Sequence, residues 1–479
     1  MGLSGLDSAL SGLRVAQQQL DIISNNVANV STDGYTRKIL PQTTIAVDGK
    51  AVGARGGAIL RNVDLNLERD YWTQVSNVTF NDVQATYLNK IQQFHGSPEL
   101  EISVAAEVAQ LKDQFAALAD SPEDGFLQRL AVDQAGVVAN KINDLSNLIT
   151  EMRNDAQDEM AVSVGTVNQK LAQIAELNHQ IKFNKAVGKT TAALEDQRDL
   201  AVKSLSEEME VSFFVRGDGV MVVQTAHGVQ LADERAEQVF FSKSAIGPTS
   251  AYPNSANGIY VGGDPAVNPV AIEITQSGLN GRLGSLIDLR DNVLPTQQAL
   301  TDELAHKLAL RFDAQGLRLF TDGSGDIPLD TAPDPSTNPP TAVPYVGFAA
   351  EIQVNPTVRA DNSLVQQGTV PTDLPVQDGS NEVIRRVVQF VFGDVNYQEA
   401  VGSVNLLASG AGQTLQDWLG IFSQNQITGT TSMEGYSSTA ALIAAGGTVF
   451  QPSVGPINDT FRLTFDEPRT GISVPPLIA

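Results

Sequence analysis

The sequence of 479 residues contains no cysteine, which excludes disulfides, thiolate nucleophiles and thiolate-bound zinc. Aromatic residues make up only 6%, which is little for a protein built around an aromatic-lined ligand pocket. No uninterrupted apolar run approaches the roughly 18 residues of a membrane-spanning helix. The first residues lack a basic segment followed by a compact apolar run, so we expect no cleavable signal peptide.

Positive charge is also scarce, because 31 Lys and Arg stand against 55 Asp and Glu, for a net charge of −24. So acidic a protein repels phosphate backbones and anionic membranes, and we expect no nucleic-acid partner and no membrane insertion. Residues 1–60 differ, since they carry five basic and four acidic side chains. A near-neutral start on an acidic body predicts that residues 1–60 are buried in an assembly.

An apolar stripe with steps of three and four residues predicts one face of a helix over residues 3–30. The stripe consists of Leu3, Leu6, Leu10, Leu13, Ala16, Leu20, Ile23, Val27 and Val30. The helix has almost no charged pairs at i, i+4, which a solvent-facing helix usually has. We therefore predict an assembly interface formed by this stripe, Ala16 excepted, with a partner from elsewhere in the chain or from another chain.

The remaining chain divides into helical and strand-like stretches. Helical periodicity covers residues 63–94, 104–118, 126–152, 164–181, 194–209, 283–312 and 384–391, with weaker runs at 415–423 and 439–445. Pro295 is expected at a kink or in a first helical turn. Strand-like segments occur at 211–215, 220–223, 238–241, 271–275 and 461–465, and residues 35–60 read as irregular.

These patterns predict an α+β multidomain fold with a coiled-coil-like N-terminal helix, a long-helix bundle and β-rich outer domains. The predicted divisions are 1–60 for the axial helix and linker, 61–210 with 281–318 for the bundle, 211–280 for a β-rich outer domain, and 319–479 for a mixed, β-rich variable region.

Residues suited to catalysis do not converge in the sequence. The four histidines, which are His95, His179, His227 and His306, are far apart and form no metal-ligand motif. Adjacent carboxylates such as Glu195 and Asp196 point to different faces of a helix, and no nucleophile or phosphate-binding motif is present. We predict no catalytic, cofactor-binding or metal-binding residues, and no enzyme.

A polar segment ends the first helix. It runs Ser24-Asn25-Asn26-Val27-Ala28-Asn29-Val30-Ser31-Thr32-Asp33-Gly34-Tyr35-Thr36-Arg37. Its asparagines and glycine can cap a helix C-terminus, or the amides can bridge helices of neighbouring subunits. The segment resembles the N-terminal signature of the flagellar rod, hook and hook-associated proteins. The motif residues are Asn25, Asn26, Ala28, Asn29, Thr32, Gly34, Tyr35 and Arg37.

Two further segments extend the resemblance and favour the hook-associated protein 1 group. Leu194–Leu200, with Asp196, Gln197, Arg198 and Asp199, is similar to that group's LxDQRD pattern before a strand pair. Residues 281–295 form the third match. From the residues alone, Asp196, Arg198 and Asp199 form a charged helix face whose ion pairs contribute little each.

The resemblance implies a structural subunit at the junction of hook and filament. It implies a helical ring of copies of this chain, contacts with the hook protein, a second hook-associated protein and an export chaperone, type III export and an extracellular location, with no cofactor. Asn26, Asn29 and Tyr35 are expected at subunit contacts. The family has a long C-terminal helix that pairs with the first helix; residues 464–479 show no helical repeat, so we expect that helix to be absent here.

Three alternatives remain open at this point. Within the same class, the chain could be a hook or distal-rod protein, although Tyr35-Thr36-Arg37 and the long helices disfavour it. From another class, an acidic secreted hydrolase would need two carboxylates facing one cleft about 5–10 Å apart. A surface adhesin is the third possibility.

Overall fold

The computed structural model describes residues 2–47, 50–96, 102–329, 344–369, 379–392, 402–403 and 460–461. The helices are α1 (Gly2–Ala28), α2 (Leu65–His95), α3 (Val104–Asp120), α4 (Gly125–Ala186), α5 (Ala192–Glu208), α6 (Gly281–Asp288), α7 (Leu294–Ala314), α8 (Phe348–Glu351), α9 (Pro356–Ala360), α10 (Leu364–Gln367) and α11 (Glu382–Arg386). Two π-helical turns, Leu289–Val293 and Val387–Val391, follow α6 and α11.

The strands form small antiparallel sheets. They are β1 (Lys38–Ile39), β2 (Gln42–Val47), β3 (Lys50–Gly56), β4 (Leu60–Arg61), β5 (Val211–Val215), β6 (Met221–Thr225), β7 (Gln230–Ala232), β8 (Val239–Phe241), β9 (Ile259–Val261), β10 (Ile272–Glu273), β11 (Phe320–Thr321), β12 (Gln353–Val354), β13 (Gly402–Ser403) and β14 (Thr460–Phe461). Long helices with small sheets confirm the predicted α+β class.

Most long helices lie where the apolar periodicity predicts them. The two runs at 126–152 and 164–181 belong to a single helix, α4, because no glycine or proline separates them in residues 153–163. The prediction of an irregular stretch at 35–60 is wrong, since β1 to β4 lie there. Its glycines mask the alternation of the β2–β3 hairpin in the sequence.

The chain forms two compact units. Unit 1 contains residues 1–85, 158–243 and 258–287, and unit 2 contains residues 86–157, 244–257 and 288–479. The residues of α2 and α4 are therefore divided between the units, at 85/86 and at 157/158. The four-part domain division proposed from the sequence stays a prediction.

In unit 1, α4 carries polar side chains among its buried apolar residues, and these polar side chains bind the backbone of neighbouring strands. The buried apolar residues of this part of α4 are Val164, Val167, Leu171, Ile174, Leu177 and Ile181. Asn168 both donates to the Val239 carbonyl and accepts from the Val239 amide, at 2.8 Å each. Asn178 does the same for Met221 at 2.8 and 2.9 Å. These amides satisfy backbone groups at the ends of β6 and β8, which burial would otherwise make costly.

Unit 2 has an aromatic and aliphatic core between α3, α4 and α7. Phe312 lies 5.7 Å from Phe115, 5.3 Å from Phe320 and 5.6 Å from Phe392, measured between ring centroids. The fully buried Arg153 donates to the carbonyls of Ser250 and Arg290, at 2.7 and 3.1 Å. The long Arg153 side chain of α4 thus holds the segment 244–257 in unit 2, just as the Asn168 and Asn178 side chains of α4 hold the strands in unit 1.

Pro295 occupies the first turn of α7, directly after a π-helical turn, so the prediction for this residue is confirmed. Proline supplies no N–H for the preceding turn, and the helix widens there. The amide of Leu294 correspondingly bonds to the Leu289 carbonyl, five residues earlier.

The described part of 319–392 contains more helix than strand, and the expectation of a mixed, β-rich region over 319–479 stays a prediction. It holds α8 to α11 and a π-turn, whereas β11 and β12 have two residues each. The helices expected at 415–423 and 439–445 lie outside the described residues, and of the strand expected at 461–465 only Phe461, in β14, is described. None of the described helices has the length and apolarity needed to cross a membrane.

Candidate assembly site

The first helix packs its polar face on its own chain and exposes its apolar face. The exposed residues are Leu6, Leu10, Leu13, Leu20, Ile23, Val27 and Val30, each 45–80% exposed. The opposite face is buried or half-buried and comprises Ser8, Ser11, Gly12, Val15, Gln19, Ile22, Asn26 and Asn29. This arrangement leaves a contiguous apolar stripe without a partner among the described residues. Leu3 lies in α1, but its side chain is outside the described set.

Small residues let α1 approach the hairpin. Ser11 Oγ accepts a hydrogen bond from the Ala54 amide at 3.1 Å. A Cβ atom at Gly53 would lie 2.7 Å from that same Oγ, and one at Gly56 would lie 2.9 Å from Gln18 Oε1. Glycine at these positions of β3 therefore leaves room for the side chains of α1, so that a larger residue at Gly53 would crowd Ser11, and one at Gly56 would displace the end of the Gln18 side chain.

Asn26 joins the end of α1 to β1. Its Nδ2 donates to the Lys38 carbonyl at 2.9 Å, and its Oδ1 accepts from the Lys38 amide at 3.0 Å and from Tyr35 Oη at 2.9 Å. The Lys38 Nζ lies 3.5 Å from the centre of the Tyr35 ring, within range of a cation–π contact. The described hydrogen bonds of Asn26 and Tyr35 are thus made within the chain.

Asn29 directly follows the last residue of α1, and Gly34 lies in the turn that comes after it. Asn29 Nδ2 donates to the Asn25 carbonyl at 2.9 Å, while Thr32 Oγ1 donates to Asn29 Oδ1 at 3.3 Å. Gly34 has φ of +72°, and a Cβ atom there would overlap the side chain of Leu200. Within the chain the amides of Asn26 and Asn29 bind the segment around the end of α1, and their predicted role as bridges between subunits stays a prediction.

Asp196 on α5 receives the chain that follows this turn. It accepts hydrogen bonds from the Thr36 hydroxyl and, at 3.5 Å, from the Thr36 amide. Lys38 Nζ lies 2.6 Å from its Oδ2, and Arg61 Nη1 lies 3.4 Å from its Oδ1. Since Lys38 and Arg61 are paired across β1 and β4, one carboxylate binds both the outgoing and the returning strand.

Arg61 lies at the centre of a buried charge cluster. Its guanidinium pairs with Asp199, with Glu195 at 3.5 Å and with Glu68 at 3.9 Å, and its own side chain is only 8% exposed. Burial raises the pKa of Asp199, and raises that of Glu68 to about 7, with the nearby Asp199 charge adding to the effect on Glu68. Burial alone would lower the pKa of Arg61, but the carboxylates of Asp199, Asp196 and Glu195 together outweigh it and the pKa is raised.

Arg198 faces the other side of α5 and holds the tip of the β5–β6 hairpin. Its Nη1 donates to the Gly219 carbonyl at 2.8 Å and to Asn178 Oδ1 at 3.1 Å. Burial lowers its pKa. Gln197, between these buried groups, is exposed.

The structure corrects the interpretation of the second motif as a charged helix face of weak pairs. Asp196, Arg198 and Asp199 are each at most 9% exposed, and the partners of Asp196 are distant in sequence. Sequence reasoning missed Lys38, Arg61, Glu68 and Asn178 altogether. Arg61 offered only a weak signal, as a basic residue isolated among apolar and polar neighbours.

No three histidine or carboxylate side chains of the described residues are arranged to hold a metal ion. The carboxylates of the cluster are instead neutralised by Lys38, Arg61 and Arg198. The arrangement can therefore fix chain segments in place, next to the exposed apolar face of α1.

Replacing Gly34 with alanine should destabilise unit 1 by about 1–3 kcal/mol, because an alanine at positive φ is strained and its Cβ meets Leu200. Urea unfolding of the monomer measures the loss. Adding Leu200→Ala should remove the overlap and restore only part of the stability. Gly165→Ala is the matched control: it lies inside α4 with open space around it and should stabilise by about 0.5–1 kcal/mol. Equal effects of the two glycine substitutions would contradict this account.

Unit 1 should gain stability as the pH falls through the range set by Glu68. Its pKa in the folded chain is about 7 against an ordinary 4.5, so the folded state binds the proton more tightly and stability falls as pH rises from about 4.5 to 7. After allowance for screening by water, we expect the free energy of unfolding to be about 1–2 kcal/mol higher at pH 5 than at pH 8.

Glu68→Gln should remove that part of the pH dependence, leaving the variant relatively more stable at pH 8 than at pH 5. Glu207→Gln, an exposed glutamate of α5, is the control and should keep the wild-type slope. Denaturant unfolding at both pH values, monitored by hydrogen exchange in unit 1, measures this difference in pH dependence. A wild-type slope in Glu68→Gln would show that Glu68 does not titrate in this range.

Comparisons with known proteins agree with the motifs. The profile described as flagella basal body rod protein matches residues 6–36, and the profile described as flagellar hook-associated protein FlgK helical domain matches residues 88–324. The first covers the exposed stripe and ends at Thr36, where the chain reaches Asp196. Residues 6–36 and 88–324 are therefore similar to the flagellar rod, hook and hook-associated proteins.

Within this class the chain resembles hook-associated protein 1. It is 27% identical to that protein of Escherichia coli K12 over 341 residues, covering 68% of this chain and 59% of the relative. The Salmonella typhimurium LT2 protein is also 27% identical, with 76% and 66% covered, and that of Bacillus subtilis 168 is 24% identical, with 49% of each covered. The chain thus spans about two thirds or less of the length of these relatives.

A solved structure, that of the flagellar hook junction protein FlgK from Burkholderia pseudomallei, matches with a TM-score of 0.45 and 24% identity. The match covers 56% of this chain and 47% of that one.

Proposed function

We propose that this chain is a structural subunit of the bacterial flagellum at the hook–filament junction, where it assembles on the hook tip and permits filament growth. The relatives named hook-associated protein 1 support this proposal, as do the three sequence segments that resemble that group. The protein has a structural role and is not an enzyme. Its partners are further copies of itself in a helical ring, the hook protein and a second hook-associated protein.

The single observation that carries the proposal is the exposed apolar face of α1. The helix packs its serine, glutamine and asparagine face on its own chain and leaves leucine and valine side chains exposed to water. Burying these side chains against another subunit would therefore be favourable. The stripe repeats about every 3.5 residues, which suits a left-handed supercoil with another helix. Assembly would bury the side chains of this face, from Leu6 to Val30.

Export and location follow from the same proposal. Subunits would leave the cell unfolded through the flagellar type III channel with an export chaperone, and would fold in an extracellular structure. An N-terminal helix that is nearly uncharged and incompletely packed in the monomer suits such a route, because its stable packing is completed only in the assembly.

The test is a deletion of the gene in the source organism, followed by negative-stain electron microscopy and an assay of flagellin in the medium. Bare hooks together with monomeric flagellin in the medium are the expected result, with filaments restored by the intact gene. Absence of the hooks would move the assignment to the hook or distal-rod proteins. Normal filaments would refute the junction role.

A further inference from the structure

The segment 2–61, which contains α1 and the β2–β3 hairpin, is joined to the rest of unit 1 where β1 and β4 pair. Strand β1 is the outgoing strand, which leads into the hairpin, and β4 is the returning strand; Lys38 lies opposite Arg61. The polar side-chain contacts between described residues that join 2–61 to the remainder of unit 1 go to Glu68 and to α5, and the Asn62 amide adds a backbone hydrogen bond to the Arg37 carbonyl at 2.9 Å.

Asp196 differs from the other residues at this attachment. It is 7% exposed and binds Thr36 and Lys38 on the outgoing chain together with Arg61 on the returning chain. Asp199 and Glu195 contact only the returning Arg61, and Lys203 reaches only the exposed Asp33. Removing the Asp196 charge would therefore weaken the attachment of both strands, with Arg61 still held by Asp199, Glu195 and Glu68, whereas loss of Asp199 or Glu195 affects the returning strand alone.

We propose that Asp196 is a positioning residue that fixes the direction of α1 relative to α5, so that the apolar face is presented to the next subunit in one orientation. The inference rests on the proposed function, because it specifies how that face is made ready for assembly. A helix held in one orientation loses less conformational freedom on docking than one that moves, and its assembly is correspondingly tighter.

The orientation can be measured on the monomer. Since the chain has no cysteine, spin labels can be placed by Asp21→Cys and Glu207→Cys alone, both at exposed positions, on α1 and α5. Double electron–electron resonance should give one narrow distance distribution in the otherwise unchanged chain. Asp196→Asn, which keeps the size but removes the charge, should broaden it at least two-fold.

Two further variants keep the test decisive. Asp158→Asn removes a surface ion pair with Lys243 in the same unit and should leave the distribution narrow. If Asp196→Asn fails to fold, the pair Thr36→Val and Lys38→Met removes the side-chain contacts of Asp196 with the outgoing chain and should also broaden the distribution. A residue that merely stabilised the fold would lower the unfolding midpoint without broadening the distance in the folded protein. A narrow distribution in both anchor variants overturns the proposal.

The consequence for assembly is tested in cells. In a strain lacking the gene, Asp196→Asn should restore at least ten-fold fewer filaments than Asp158→Asn at equal export of the subunit. Full restoration by Asp196→Asn, in a strain whose deletion does give bare hooks, overturns the proposal even if the distance broadens. A deletion without any flagellar defect instead refutes the proposed function, while the distance measurement still decides whether Asp196 sets the direction of α1.

Discussion

Replacing Leu13 and Leu20 with glutamine should abolish assembly of the subunit while leaving the monomer folded. Both side chains are more than half exposed, so their loss removes little from the packing of the isolated chain. In an assembly that buries them, two leucines contribute about 3–6 kcal/mol per subunit, or roughly a hundred-fold or more in the association constant. Sedimentation of the purified protein and electron microscopy of complemented cells measure the two effects.

The matched control for this pair is Arg14→Gln with Asp21→Gln. These residues directly follow the two leucines, have the same spacing, are exposed and receive the same replacement. They lie off the apolar stripe, so filaments should form normally. Equal loss of assembly in both pairs would show that the stripe is not the interface, and normal assembly of the leucine pair would do so more directly.

Replacing Arg61 with methionine should strongly destabilise unit 1. Methionine fills much of the same space but leaves Asp196, Asp199 and Glu68 buried with less positive charge nearby. Breaking a buried ion pair from one side costs about 3–5 kcal/mol, because the remaining charge keeps its desolvation penalty. The expected result is a lower urea midpoint, with the earliest loss of hydrogen-exchange protection in β1, β4 and α5.

Lys243→Met provides the comparison for Arg61→Met. It removes one exposed ion pair, to Asp158 at 2.7 Å, and should change stability by no more than about 1 kcal/mol. A loss of similar size in the two variants would mean that the charge cluster around Arg61 is as well screened as a surface pair. The cluster would then not be the main attachment of residues 2–61.

Much of the helical framework could be predicted from periodicity because that signal is local. The stripe from Leu6 to Val30 identifies a helix face from spacing alone, and the same reasoning locates α3, α5 and most of α4. The short strands β1 and β4 could not be found in this way, since two residues carry no period. Their pairing exists because the chain returns to Arg61 beside Lys38.

The attachment of α1 illustrates the limit most clearly. The two family motifs were visible in the sequence, but nothing in either indicated that they meet. Lys38 and Asp196 are 158 positions apart, and their 2.6 Å contact depends on the path of all the chain between them. Asp196 therefore reads as a surface carboxylate until the fold buries it against Thr36 and Arg61.

By itself, the sequence determined the α+β class, the long helices, the absence of thiol chemistry and the apolar stripe of α1, because each depends on composition or on neighbours within four residues. Only the tertiary structure decided which face of α1 packs on its own chain, that Asn26 binds β1, and that Asp196, Asp199 and Glu68 are buried around Arg61. Burial and charge pairing are set by groups brought together from distant parts of the chain, and no local pattern encodes that proximity.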